Sequence, residues 1–118
     1  MVIFKKKKWV DEYLNLLKLD PVGHLKKYEN ANIPWYIGLE DIVKRVPLDD
    51  IDTYLLPKEL AENERILCAI FTKNTSGDYC SFYYGDRGET CHYAESPDPQ
   101  EGFRQYVKCM LYLCGVDA

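Results

Sequence analysis

The chain has 118 residues, 47% of them hydrophobic, which is enough for one sizeable core and reads as a single domain spanning 1–118. Its net charge of -4 is uneven: residues 1–29 hold seven Lys against four acids, a net of +3, while residues 30–118 hold eight basic and fifteen acidic side chains, a net of -7. An acidic main body argues against a broad nucleic-acid surface, and no apolar run approaches the roughly 18 to 20 residues that cross a bilayer.

Met1 to Phe4 is too short for the apolar centre of a signal peptide, so a cytosolic protein is expected. The five cysteines (Cys68, Cys80, Cys91, Cys109, Cys114) are odd in number and fall within apolar runs, which reads as reduced, buried thiols.

Residues 1–63 read as mainly helical. Trp9, Val10, Tyr13, Leu14, Leu16, Leu17 and Leu19 recur at three- and four-residue intervals and predict an amphipathic helix that ends at Asp20-Pro21. Pro21 suits the first position of a second short helix, with Asp20 as its cap, running to about Tyr28. His24 in that helix has no discernible partner and reads as a surface or capping residue. Residues 29–34 read as a loop, and Trp35 and Tyr36 after it as a plug at the edge of the core, with an exposed anchor as the second reading. A helix is predicted over 39–46, closed by Pro47. Asp49, Asp50 and Asp52 then open a helical run to Leu56, with acids favourably placed in its first turn, and 57–62 adds about one more turn.

Residues 64–115 read as three strands and a helix. The run 66–71 is almost continuously apolar and ends at a turn cluster from Asn74 to Asp78. Residues 79–84 form the second strand, Gly85-Asp86-Arg87-Gly88 a tight hairpin signal, and 89–94 the third. With Asp86 and Arg87 as the two loop residues, Tyr84 would pair with Glu89, Phe82 with Cys91, Ser81 with His92 and Cys80 with Tyr93. One face then carries Cys80, Phe82, Tyr84, Cys91 and Tyr93, expected to face the core. The other carries Tyr79, Ser81, Tyr83, Thr90 and His92, expected to be a mixed polar and aromatic surface.

Asp98-Pro99-Gln100-Glu101 announces a final helix, with Asp98 as cap, Pro99 at the first position and Glu101 placed for a capping box. Phe103, Tyr106, Val107, Met110, Leu113 and Cys114 form its apolar stripe, and Gly115 suits its C-terminal end. The predicted fold class is therefore α+β: N-terminal helices, a three-stranded antiparallel meander, and a C-terminal amphipathic helix packed on the Phe82 and Cys91 face.

Chemistry is harder to find. No close cysteine pair of the zinc-binding kind occurs, and Cys91 and His92, adjacent on a strand, would point to opposite faces. Ser81 and His92 would lie opposite one another, but no oxyanion hole and no orienting carboxylate accompany them. No phosphate-binding loop occurs. No catalytic residue, metal or cofactor is therefore assigned.

The order helix, three strands, helix over 49–115 resembles that of a double-stranded-RNA-binding domain. That family places lysines at the start of its last helix and a histidine-bearing loop between its second and third strands, whereas here Asp98 with Glu101 and Gly85-Asp86-Arg87-Gly88 occupy those places, so RNA binding does not follow. The Gly77-Asp78-Tyr79 strand entry, two further strands and a Phe103-bearing terminal helix are similar to the end of the SUKH-type toxin-immunity proteins, over less than half of the chain.

The expected function is a non-enzymatic protein-binding module of the inhibitor, immunity or adaptor kind. Tyr79, Ser81, Tyr83, Thr90 and His92 would supply the contact face and Arg87 the hairpin tip, with Asp49, Asp50 and Asp52 steering a basic protein partner. Two rival classes are a small thiol- or metal-dependent enzyme using Cys80, Cys91 or His92, and nucleic-acid or anionic-surface binding through Lys5, Lys6, Lys7 and Lys8.

Overall fold

The computed structural model of the chain describes residues 2–30 and 32–117, with side chains from Lys5 onward. The loop predicted over 29–34 includes Ala31, which lies outside the described residues. Helix α1 (Val2–Leu19) follows the apolar spacing and buries Val10, Tyr13, Leu14 and Leu17. Helix α2 (Pro21–Tyr28) starts where the Asp20 carboxylate accepts from the Gly23 N–H at 3.0 Å.

Helix α3 (Leu39–Val43) is shorter than predicted, because after Val43 the chain tightens into turns in which Arg45 N donates to Ile42 O and Val46 N to Val43 O. A 3-10 turn (Leu48–Tyr54) replaces the helix predicted to run to Leu56. Leu55 is already extended, and the residue before Pro57 is barred from helical geometry, so too few residues remain for an α-helix. Helix α4 (Lys58–Ala61) supplies the predicted extra turn.

Strands β1 (Ile70–Lys73), β2 (Tyr79–Tyr84) and β3 (Thr90–Ser96) form an antiparallel sheet in the order β1-β2-β3, and helix α5 (Pro99–Leu113) packs on it. The predicted α+β architecture is the observed one. The first strand, however, starts four residues later than predicted. Ile66 closes a turn onto Asn63 O, Leu67 is exposed, and the buried Cys68 and Ala69 form an irregular segment whose Ala69 N–H points at Met110 Sδ, 3.4 Å away. Apolarity here reports burial of an irregular stretch. The outer edge of β1 is covered: Phe71 O accepts from Leu56 N at 2.8 Å, and α4 packs against the strand.

The hairpin register also differs. The loop runs from Gly85 to Glu89, closed by Gly85 N donating to Glu89 O at 2.8 Å, with Gly88 at φ +78. Tyr84 therefore pairs with Thr90 and Tyr83 with Cys91. A bulge then shifts the ladder again, so Ser81 faces Ala94 and Cys80 faces Glu95.

The sheet face under α5 is the reverse of the one expected. Phe71 stacks on Tyr106 at 4.9 Å and on Tyr79 at 5.7 Å, and Gly102 brings the helix so close that a Cβ there would lie 2.4 Å from Tyr79 Cβ. The Phe82 face instead packs with Leu56, Ala61 and Ile70 in a smaller cluster, where the Tyr84 hydroxyl donates to Ala61 O. Both faces are covered at their centre, so neither could be assigned to solvent from alternation alone.

Helix α5 is capped by Asp98, whose carboxylate accepts from Glu101 N, but the capping box does not close: Asp98 N donates to Ser96 Oγ, while Glu101 accepts from Arg104 and Gln105. Gly115, at φ +84, ends the helical turn as expected. Arg104 also reaches α3, donating to both Glu40 carboxylate oxygens at 2.7 and 2.9 Å. Five free cysteines and no disulfide are present, and no helix among the described residues is long and apolar enough to cross a membrane.

Candidate functional site

The bulge in β3 sets His92 and Tyr93 against the single residue Phe82, and His92 adopts φ +54. A left-handed conformation costs a residue with a side chain about 1–2 kcal/mol. Aromatic packing holds it there: the His92 ring lies 4.3 Å from that of Tyr112 and stacks on Tyr83 at 5.5 Å. Beside this stack, β3 and α5 diverge and leave a cleft of about 380 Å³. Its strand wall is His92, Tyr93 and Ala94, its helix wall Gln105, Lys108, Cys109 and Tyr112, and Asp117 closes one end.

Asp117 also lines a second, apolar groove of about 250 Å³ formed by Ile33, Ile37, Leu39, Ile42, Leu111 and Val116. Asp117, beyond the end of α5, thus borders both hollows. Next to the groove, Ile37 N donates to Pro34 O and closes a turn that carries Trp35 at its tip, 95% exposed. Trp35 is no core plug: the turn sinks its flanking isoleucines and turns the indole outward, edge-to-face with Tyr36 at 5.8 Å. Tyr112, 47% exposed, stands over the cleft.

The residues singled out in the sequence divide among three places. Tyr79 and Ser81 are buried beneath α5. Tyr79 stacks on Phe71 and donates its hydroxyl to Asp52, and the Ser81 hydroxyl has no partner among the described residues. Tyr83 is half-buried, while Thr90, His92 and Arg87 are exposed; Thr90, paired with Tyr84, lies on the Phe82 face and not on the expected one, so Tyr83 and His92 are the part of that face that reaches solvent. The supposed Ser81 and His92 pair does not exist: Ser81 pairs with Ala94.

Asp49, Asp50 and Asp52 lie elsewhere, on the 3-10 turn, where Asp50 meets Lys18 at 3.2 Å and Asp52 meets Lys73 at 3.3 Å. Much of the acidic character of residues 40–64 is answered within the fold, since Glu40 is held by Arg104, Asp41 by Lys6 and Glu62 by Lys58. The hydrogen bond from Arg104 lowers the Glu40 pKa, and that from Tyr79 lowers the Asp52 pKa.

The thiols and imidazoles are dispersed. Burial pushes the Cys68 and Cys109 thiols up to about 12 and Cys114 up to about 11, which disfavours thiolate. Cys80 is buried on the Phe82 face with the Tyr93 hydroxyl 3.3 Å from its sulfur. Cys91 lies across from Tyr83 on the α5 face, and desolvation first, then that thiol, raises the Tyr83 pKa. The bulge breaks strict alternation, so His92 too turns to Tyr83. No group of three or more His, Cys, Asp or Glu arranged to hold a metal occurs among the described residues. Lys6 of the lysine run is paired with Asp41, and Lys5, Lys7 and Lys8 are exposed.

Sequence reading missed Lys108, Tyr112 and Gln105 as cleft residues. A signal was available: their three- and four-residue spacings align them along one flank of α5, beside its apolar stripe. Tyr93, expected in the core beside Phe82, does stack on it at 5.9 Å but is 54% exposed, because the edge strand has no outer neighbour. His24, expected at the surface, is fully buried against Tyr13 and Tyr28. Compared with protein-family models, curated proteins and solved structures, the chain matches none.

Proposed function

We propose that the chain is a non-enzymatic protein-binding module of the inhibitor, immunity or adaptor kind, acting by one-to-one occlusion of a protein partner. The observation that carries this reading is a pair of hollows that both reach Asp117, one lined by the exposed rings of Tyr112 and His92, the other by Ile33 and Ile37, between which the turn holds Trp35 out to solvent. Tryptophan and tyrosine dominate binding energy at protein interfaces, because they bury much area at little entropic cost. A tryptophan held out at the tip of a hydrogen-bonded turn gains nothing for the fold and is already placed for a partner's surface.

The contact region moves accordingly from the expected centre at Tyr79 and Ser81 towards His92, Tyr112 and Trp35, with Tyr83 beneath the stack and Arg87 and Thr90 at the hairpin end. Asp49 and its neighbours lie outside it, and their pairing with Lys18 and Lys73 weakens any steering role.

The test compares the full chain with a Trp35→Ala/Tyr112→Ala variant as bait in extract of the source cell. The variant should keep its fold by circular dichroism and lose a partner that the parent retains at one-to-one stoichiometry. Identical capture by both would overturn this placement of the interface.

A further inference from the structure

Strand β3 is an end strand. It pairs with β2 on one side, and among the described residues no backbone hydrogen bond reaches it from the other. An antiparallel strand directs alternate N–H and C=O groups to each side, so the regular part of β3 after the bulge, residues 94–96, presents unanswered backbone groups to solvent.

That edge coincides with the cleft, since His92, Tyr93 and Ala94 form both the start of the open strand and one wall of the hollow. Helix α5 stands opposite as the second wall. An extended chain laid along β3 would therefore find backbone partners on one side and a helix-lined hollow for its side chains.

The charges on the two sides of this edge differ. Lys108 lines the cleft and is exposed, with no ion pair among the described residues. On the opposite face Glu95, across from Cys80, accepts from the Tyr93 hydroxyl and from Asn74, neutral donors that leave its charge uncancelled. Consecutive residues of a strand point to opposite faces, so neighbouring side chains of an added strand would meet Lys108 and Glu95 in turn.

We infer that the β3 edge and the β3–α5 cleft bind an extended segment of a protein partner as a fourth strand, with an acidic side chain against Lys108 and a basic one against Glu95. The inference rests on the protein-binding reading and specifies the chemistry of the segment. Main-chain hydrogen bonds supply affinity and the cleft supplies selection. The bulge at His92 and Tyr93 ends the pairing on one side, which keeps the added strand to the stretch beside residues 94–96.

The test begins with a phage-displayed library of random heptapeptides selected on the immobilised full chain, and the best binders are made synthetically. Enriched sequences should place an acid next to a base, and their amide-spectrum footprint should fall on residues 94–96 and Lys108. N-methylating one alternate set of peptide amides should weaken binding about tenfold or more, and the other set hardly at all. Lys108→Glu, an exposed change that leaves the fold intact, should reverse the preference for an acid.

Failure to enrich any sequence, equal tolerance of both N-methylated sets, or a footprint confined to the Trp35 groove would overturn the added strand. If one of these occurs while Trp35→Ala/Tyr112→Ala still abolishes partner capture, protein binding stands and the strand mechanism falls. Failure of both readouts removes both.

Discussion

His24 and His92 each lie between two tyrosines, at ring distances of 4.1 and 4.7 Å for the first and 4.3 and 5.5 Å for the second. Their surroundings are opposite. His24 is closed off within the α1 and α2 packing, and neither of its ring nitrogens nor the Tyr13 hydroxyl finds a partner among the described residues. Desolvation first, and Lys27 second, lowers its pKa to about 3. His92 has the same kind of neighbours but is exposed, because α5 diverges from β3 and leaves the stack at the mouth of a cleft. Stacking does not decide whether an aromatic group is core or surface; the next element over does. The covered cluster serves stability, and the uncovered one is free for recognition.

The largest expected effect tests that division directly. Tyr13→Ala removes a fully buried ring and should cost about 3–5 kcal/mol, whereas Tyr112→Ala should cost less than about 1 kcal/mol. Urea unfolding of the two variants measures the gap, and equal losses would erase the distinction.

Acid should separate the clusters next. An unfolded imidazole titrates near 6.5 and the folded His24 at about 3, so between those values the unfolded chain binds more protons and stability falls as pH drops. About 2 kcal/mol should be lost by pH 5 from this group alone. Carboxylates contribute to the same slope at lower pH, so the quantity to measure is the difference between the parent and His24→Leu. Parallel pH profiles for the two proteins would count against a buried neutral imidazole.

The smallest effect concerns the exposed histidine. His92→Val loses the stacking and puts a β-branched residue at φ +54, and should cost about 1 kcal/mol or more, while His92→Gly trades lost stacking for relieved strain and should stay within about 0.5 kcal/mol of the parent. If valine were as well tolerated as glycine, the bulge conformation would be incorrect.

What the sequence made legible was local chemistry. Asp20-Pro21 and Asp98-Pro99 signal helix starts through a side-chain cap and a missing donor, and both helices begin there. The sheet was legible as three strands but not as a register. One more loop residue than expected and the bulge at His92 change the pairing, and each slip exchanges the face assigned to a side chain. Alternation gave no warning, because Tyr79 and Phe82 are both buried, on opposite faces. The one usable clue to the face was Gly102: a glycine inside a well-capped helix costs about 1 kcal/mol, and here it permits the close approach to Tyr79. For Trp35 the sequence leaves plug and exposed anchor both open, and the turn from Pro34 to Ile37, which no apolarity count foretells, decides for the anchor.

The covered edge of β1 has a consequence for how copies of the chain could meet. Leu56 and α4 cover that side of the sheet, which leaves β3 as the one free edge among the described residues. In the language of polymers, the sheet is monovalent. Two copies could join β3 to β3 and would then have no free edge left, whereas a filament needs two open edges on every unit. Growth of a continuous sheet therefore ends at the first pairing, and a partner's segment on β3 would block even that one.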